Sequence, residues 1–203
     1  MIVIIDYGVG NLVSIKNILK KVGINASISN EINVIKDASK LILPGVGSFN
    51  YSMQKINENG LNNILNQKVL IEKIPLLGIC LGLQLMTKES EEGQLPGLGW
   101  INAKTIRFRL NDTKLKIPNM GWNEIIIKKE SKLFHDMPQP SRFYFAHSFH
   151  LECFDKQDIL LTANYGYEFI CGIEKDNIVG VQFHPEKSHK YGMKLLYNFC
   201  HNF

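Results

Sequence analysis

The 203-residue chain is poor in cysteine: Cys80, Cys153, Cys171 and Cys200 lie far apart and form no C-x-x-C pair. That spacing argues against a disulfide framework and against a structural zinc site, and it predicts a reducing setting, the cytoplasm. No window approaches the roughly 18–20 apolar residues of a membrane span. The opening "MIVIIDYG" lacks a basic n-region and a small-residue cleavage site, so it reads as a first strand and not a signal peptide. Lys and Arg outnumber Asp and Glu by only 23 to 19, with no long basic run. Neither nucleic acid nor a membrane is therefore expected as a partner. No cluster of histidines and carboxylates has metal-ligand spacing, and neither a metal nor another cofactor is expected. Linkers, internal repeats and low-complexity stretches are missing too, which predicts one domain over residues 1–203.

What is present is alternation. "IVIID" is a short β-branched run of the kind buried on both faces of a sheet. Leu12, Ile15, Leu19 and Val22 then recur at helical spacing, and Gly23 is placed to end that helix. "INASI" and "KLILPGVG" read as further strands, with Ser48 positioned to cap a helix after the second. A helical segment near Leu61 to Leu70, a fourth strand "IPLLGIC" and a helix over "LGLQLMTKES" follow. Beyond Gly93 the texture changes to strand-like runs split by polar turns: "AKTIRF", "WNEIIIK", "SRFYFAHSFHLE", "ILLTANYG", "EFICGIEKD" and "NIVGVQFH". Ser188 to Phe203 closes the chain as a helix. The predicted fold is α/β: a doubly wound, mostly parallel sheet with flanking helices and an added antiparallel portion.

Three stretches can carry chemistry. Gly78 to Gly82 has the form G-x-C-x-G, which mirrors the nucleophile elbow of hydrolases. Small neighbours suit a sharp strand-to-helix turn, and a helix N-terminus favours a thiolate. By itself the pattern fits a buried core cysteine equally well. "VGVQFHPEKS" supplies a base and an orienting group: His184 and Glu186 stand two apart, on one side of an extended segment. A neighbouring carboxylate favours the imidazolium form of His184. "LPGVGS" also ends a strand, and its glycines around Val46 permit a peptide to turn an N–H toward an anion; alone, it fits a plain turn.

In this order and at these separations, "LPGVGSF", "GICLGLQLM" and "QFHPEKS" resemble the class I (triad) glutamine amidotransferases, whose fold is flavodoxin-like. "IIDYGVGNL", "SEEG", "GLGWI", "MGWNEI", "YFAHSF" and "NYG" narrow the likeness to the glutaminase subunits of imidazole glycerol phosphate synthases, over essentially the full length. The resemblance implies that Cys80 attacks the side-chain amide of L-glutamine, that His184 shuttles protons and that Glu186 orients it. It implies oxyanion donors at Leu81 and in the turn Gly45, Val46, Gly47. It implies that Gln84 and Glu92, with the backbone of His147, Ser148 and Phe149, hold the substrate's amino-acid end. Ammonia would pass to a separate TIM-barrel cyclase in a heterodimer, with Asn11, Trp122 and Lys187 near the interface. As residues alone those three read equally as a helix cap, a core aromatic and a surface lysine.

Two departures from the family pattern stand out: Asn119 where a histidine usually precedes "MGWN", and Phe149-His150 where "HSY" is usual. Both are expected toward the substrate or the partner. They leave open a paralogue that supplies ammonia for acetamidino groups on bacterial surface sugars. A non-catalytic scaffold or a γ-glutamyl hydrolase is the remaining alternative. His147 and His150, three apart in strand-like sequence, are expected to face away from each other. His135, His189 and His201 read as surface residues, and Phe143 to Phe145 as strand core.

Overall fold

The computed structural model describes residues 1–203. The β-branched opening forms strand β1, Ile2–Ile5, which runs through helix α1 (Leu12–Lys21) to β2 (Ala26–Ser29). Helix α2 (Ile32–Lys36) returns the chain to β3 (Lys40–Gly45) on the other side of β1. Helices α3 (Phe49–Glu58) and α4 (Leu61–Asn66), the latter continued by a π-helical turn over Gln67–Ile71, lead to β4 (Leu76–Cys80). These strands pair in parallel in the order β2-β1-β3-β4. The switch of direction at β1 is what puts helices on both faces.

Helix α5 (Leu81–Leu85) follows β4 without a loop, and then the short β5 (Glu89–Ser90), β6 (Ala103–Arg107) and β7 (Asn119–Ile127). β8 (Arg142–His147), β9 (Phe149–Cys153), β10 (Ile159–Asn164) and β11 (Glu168–Lys175) continue the chain to β12 (Ile178–Val181) and the closing helix α6 (His189–His201). β12 inserts beside β4 in parallel register, Val181 opposite Ile79. From β12 the sheet extends antiparallel through β11, β10, β7 and β8, while β9 joins β11 to β6 and β5. Alternate residues serve opposite cores. Ile4, Ile42, Leu77 and Val179 pack with Ile15 and Leu19 of α1 and Leu195 and Phe199 of α6. Val3, Ile5, Leu41 and Leu43 pack with Phe49, Met53, Leu61 and Leu83 on the other face. No helix is long and apolar enough to cross a membrane.

Four local expectations are corrected. The helix predicted over "LGLQLMTKES" ends at Leu85, because the Thr87 hydroxyl donates to Gln84 O at 2.8 Å and the next residues bond to β6. Ser48 sits at the N-cap of α3, but its side chain makes no capping bond; the Glu92 carboxylate accepts the Phe49 N–H instead, at 2.9 Å. "SRFYFAHSFHLE" is two strands, broken at Ser148. That break undoes the simple alternation, so His147 and His150 do not face apart: both rings pack on Phe108, at 5.2 and 4.7 Å between centroids.

The elbow is sterically tight. A Cβ on Gly82 would overlap the carbonyl oxygen of Leu43, and one on Gly45 would come within 2.8 Å of Leu81 Cβ. Gly82→Ala should therefore cost about 3 kcal/mol or more. Gly60→Ala, at φ +65° in open space, should cost only about 1 kcal/mol. Urea unfolding of the two variants measures the contrast; equal losses would refute the packing account.

Candidate active site

Three strands end on the same edge, and each delivers one part of a cleft. β3 leaves Gly45 opposite Cys80 in the ladder, so the Gly45–Gly47 turn and the elbow are neighbours by register. Cys80 has φ +54° and ψ −110°, a backbone state sparsely populated by non-glycine residues. The strain turns the chain directly into α5, and the N–H of Leu81, the first residue of that helix, has no intrahelical partner. β12 carries the chain to His184, whose backbone is pinned from two sides. Its N–H donates to Tyr144 O at 2.9 Å, and its carbonyl accepts from the Ser188 hydroxyl at 2.6 Å.

His184 Nδ1 meets Glu186 Oε1 at 2.8 Å, and both side chains are almost wholly buried, at 5% and 2% exposure. Burial opposes charge on this ring, yet hydrogen bonds to Cys80 and Glu186, with their charges, outweigh it and push His184 up to about 10. Glu186 holds Nδ1 and so leaves Nε2 for the thiol of Cys80, which lines the same cleft, in the order nucleophile, base, orienting group.

The cleft measures about 370 Å³. Val46, Gly47, Cys80, Leu81 and His184 line its floor. Gln84, Glu92, His147, Ser148 and Phe149 form its wall, and Lys187 stands at one side. Gly45 does not line it but packs beneath, against Tyr7 and Leu81, while Tyr7 Oη donates to Pro44 O at 2.6 Å. Gln84 is buried, with its amide nitrogen 3.2 Å from Phe149 O and 3.0 Å from Gln182 Oε1. Only its oxygen is left for a ligand, which suits an ammonium donor. Glu92 offers one carboxylate oxygen, the other being held by Phe49 N–H.

Trp122 is not a core aromatic: it is 40% exposed, stacks on His189 at 5.4 Å and meets Tyr144 edge-on. Asn11 occupies the N-cap position of α1 without a side-chain cap bond and is exposed. α1 packs on the Pro185–Lys187 turn, so Asn11 and Lys187 share one edge. Met120 of β7, 63% exposed, and Pro118 just before that strand join the cleft wall. Asn119 points the other way from Met120. Expected toward the substrate or the partner, it is buried on the substrate side, with its amide 3.2 Å from Nε2 of His147 in the cleft wall. His150 is buried as well, 2.8 Å from Tyr167 Oη. His135, His189 and His201 are exposed.

Sequence reasoning passed over Gln182, a fully buried amide behind the cleft whose Nε2 lies 3.7 Å from Cys80 Sγ. The one signal for it was a single polar residue inside the apolar run "VGVQF".

A model of the class I glutamine amidotransferases matches residues 3–203. The chain is 57% identical over 199 residues to the imidazole glycerol phosphate synthase subunit HisH 2 of Methanococcus maripaludis, covering 98% of each. It is 48% identical over 199 residues to the subunit of the same name from Pseudomonas aeruginosa, again covering 98% of each. It is 44% identical over 202 residues to subunit HisH of Leptospira borgpetersenii, covering 98% of this chain and 99% of that one. Among solved structures, a glutamine amidotransferase superposes with a TM-score of 0.72 at 19% identity, over 96% of this chain and 98% of that one. The structure of PurLQS from Thermotoga maritima gives 0.65 at 20%, over 98% and 95%. At these identities the structural likeness is one of fold.

The second histidine of the cleft makes stability depend on pH. Burial, with positive charge at His150 and His184 adding, pushes His147 down to about 3, against the bond to Phe149 O. Burial also lowers His150. The unfolded chain then binds more protons than the folded one below about pH 6.5, so stability should fall as pH drops from there. Thermal unfolding between pH 8 and pH 4 measures this. His147→Gln, which does not titrate, should flatten the dependence.

Proposed function

This chain belongs to the class I glutamine amidotransferases, and we propose that it is the glutaminase subunit of an imidazole glycerol phosphate synthase in histidine biosynthesis. In this reading residues 1–203 act as one domain in the cytoplasm. The observation that carries the chemistry is the buried line Cys80, His184, Glu186 at the floor of a cleft sized for an amino acid. The full-length identity to subunits of that synthase supports the pathway.

Glutamine enters with its α-ammonium toward Gln84 Oε1 and Glu92. Cys80 Sγ attacks the side-chain amide carbon. The oxyanion that forms takes N–H groups from Leu81 and the Gly45–Gly47 turn, where Gly47 at φ +89° has the freedom to reorient a peptide. The C–N bond breaks as His184 gives a proton to the departing nitrogen, leaving a thioester and ammonia. Water, deprotonated by His184, attacks the thioester; the C–S bond breaks and glutamate leaves.

The ammonia needs a closed route, because in water it protonates. Exposed Met120 and Lys187 line the cleft at its mouth, and Lys187 lies 5.6 Å over the Tyr144 ring, which exposed Trp122 meets edge-on. A TIM-barrel cyclase docked there, forming a heterodimer, would seal that mouth. A second reading keeps every step but sends ammonia to an amidotransferase acting on surface sugars. The departures at Asn119 and at Phe149-His150 are what favour this reading.

Cys80→Ala should abolish glutamate release from glutamine, by at least about 10⁴-fold. Retained turnover would overturn the mechanism. A cyclase partner with its ligand should raise turnover of the wild type. Trp122→Ala should weaken that partner's binding about 30-fold, or about 2 kcal/mol, by titration calorimetry. Binding to the sugar amidotransferase and not to the cyclase would select the second reading.

The pH profile follows from His184. Its folded value of about 10 lies above the ordinary 6.5, so the imidazolium is the form present at neutral pH and is lost as pH rises through about 10. Turnover should hold to about pH 9 and decline above it. Glu186→Gln removes a cause of that rise and should bring the decline to lower pH, with turnover down about 10²–10⁴-fold.

A further inference from the structure

Behind the wall of the cleft lies a run of buried side chains whose hydrogen bonds each have one fixed sense. The sense is set at the carbonyl of Phe149. That oxygen can only accept, so both nitrogens beside it must donate: His147 Nδ1 at 2.7 Å and Gln84 Nε2 at 3.2 Å. His147, with its one proton on Nδ1, presents the lone pair of Nε2 to the Asn119 amide at 3.2 Å. Gln84, its NH2 turned to Phe149, gives its second proton to Gln182 Oε1 at 3.0 Å. Gln182 then has only its NH2 to offer in the other direction, and what stands there is Cys80 Sγ at 3.7 Å. Reversing Gln84 would set its carbonyl oxygen against those of Phe149 and Gln182, and reversing Gln182 would set its NH2 against that of Gln84, each in a buried site at the full cost of unmade bonds.

The placement follows from the sheet. Val181 pairs with Ile79, so the next residues along the two parallel strands, Gln182 and Cys80, are lateral neighbours. The backbone of Gln182 is fixed by its N–H to Cys171 O at 2.8 Å. A fully buried amide at the end of an apolar strand is unfavourable unless both ends are satisfied. Here one end is satisfied by Gln84 and the other by the sulfur.

We propose that Gln182 is a positioning residue for the nucleophile, donating a side-chain N–H to Cys80 Sγ in an orientation that the Phe149 carbonyl imposes through Gln84. The inference rests on the reading of Cys80 as the nucleophile and deepens it. A donor aimed at sulfur favours negative charge there and holds the side chain toward His184. The relay also couples the residue that meets substrate, Gln84, to the atom that attacks it.

The test is the pH profile of Cys80 alkylation by iodoacetamide, followed on the Cys80 peptide by mass spectrometry with Cys153 as internal control. It needs no glutamine hydrolysis. Gln182→Met keeps the volume without the donor, and Gln182→Glu keeps the shape but turns an oxygen to the sulfur. Both should move the midpoint to higher pH by about one unit or more, a tenfold loss of rate below the midpoint. Both should lower kcat with little change in KM, while Gln182→Asn, which keeps a donor, should recover part of the rate. In the wild type, the side-chain amide signals of Gln182 in nitrogen-15 NMR should shift as Cys80 titrates and again when it is alkylated. That measurement stands even where a variant fails to fold. Amide signals indifferent to both events, or an unmoved alkylation profile in folded variants, would overturn the inference. If Cys80→Ala has lost hydrolysis in the same assays, the glutaminase reading survives that failure.

Discussion

The backbone at Cys80 is the constraint on which the site depends. A non-glycine residue at φ +54° and ψ −110° costs on the order of 1–3 kcal/mol, and packing must over-determine it. It does so from both sides. Gly82 lies against Leu43 O, Gly78 against Met86, and Gly180 of β12 against Leu83, so α5 sits closer to the sheet than side chains would allow. The strain ends β4 at Cys80 and turns the chain straight into α5. β3 and β12 contribute because they flank β4 in register, which brings Gly45 and Gln182 beside the elbow without any loop having to find it.

Two histidines in one cleft are driven in opposite directions by what touches them. His184 and His147 are both buried, and burial opposes charge on each. His184 is offered a thiol and a carboxylate, and its ring rises. His147 is offered a carbonyl and an amide, with positive charge near, and its ring falls. The same side chain thus provides a proton carrier in one wall and a fixed, neutral hydrogen-bond link in the other, a division set by environment alone. Glu186 serves only the first of these rings: its Oε1 holds the imidazole of His184, while its Oε2 is buried without a partner.

The reading of the chain as a doubly wound sheet with an antiparallel extension came from features that local sequence encodes directly: β-branched runs, helical spacing and glycine punctuation. The elbow, the His184–Glu186 pair and the glycine turn were legible for the same reason, since each is a short stretch whose neighbours are its own. Legibility failed where a contact joined distant segments. Thr87 ends α5 because β6 claims the backbone beyond it. Glu92 replaces Ser48 at the start of α3 because the 88–93 loop folds over that helix. His147 and His150 share a face because the strand breaks at Ser148, which alternation cannot foresee.

The sequence by itself determined the chemistry on offer: a cysteine between glycines, a histidine two residues from a glutamate, and an alternation that sends strand ends to a common edge. These are set by local sterics and by periodicity. Only the tertiary structure decided which atoms meet. It turned Asn119 inward, left Trp122 and Met120 exposed, and made Gln182 a neighbour of Cys80 rather than a misplaced polar residue at a strand end. The reason is that a hydrogen bond's sense, like a ring's charge, is fixed by the partners that packing brings to it, and here those partners come from β4, β7, β8, β9, α5 and the residue just after β12.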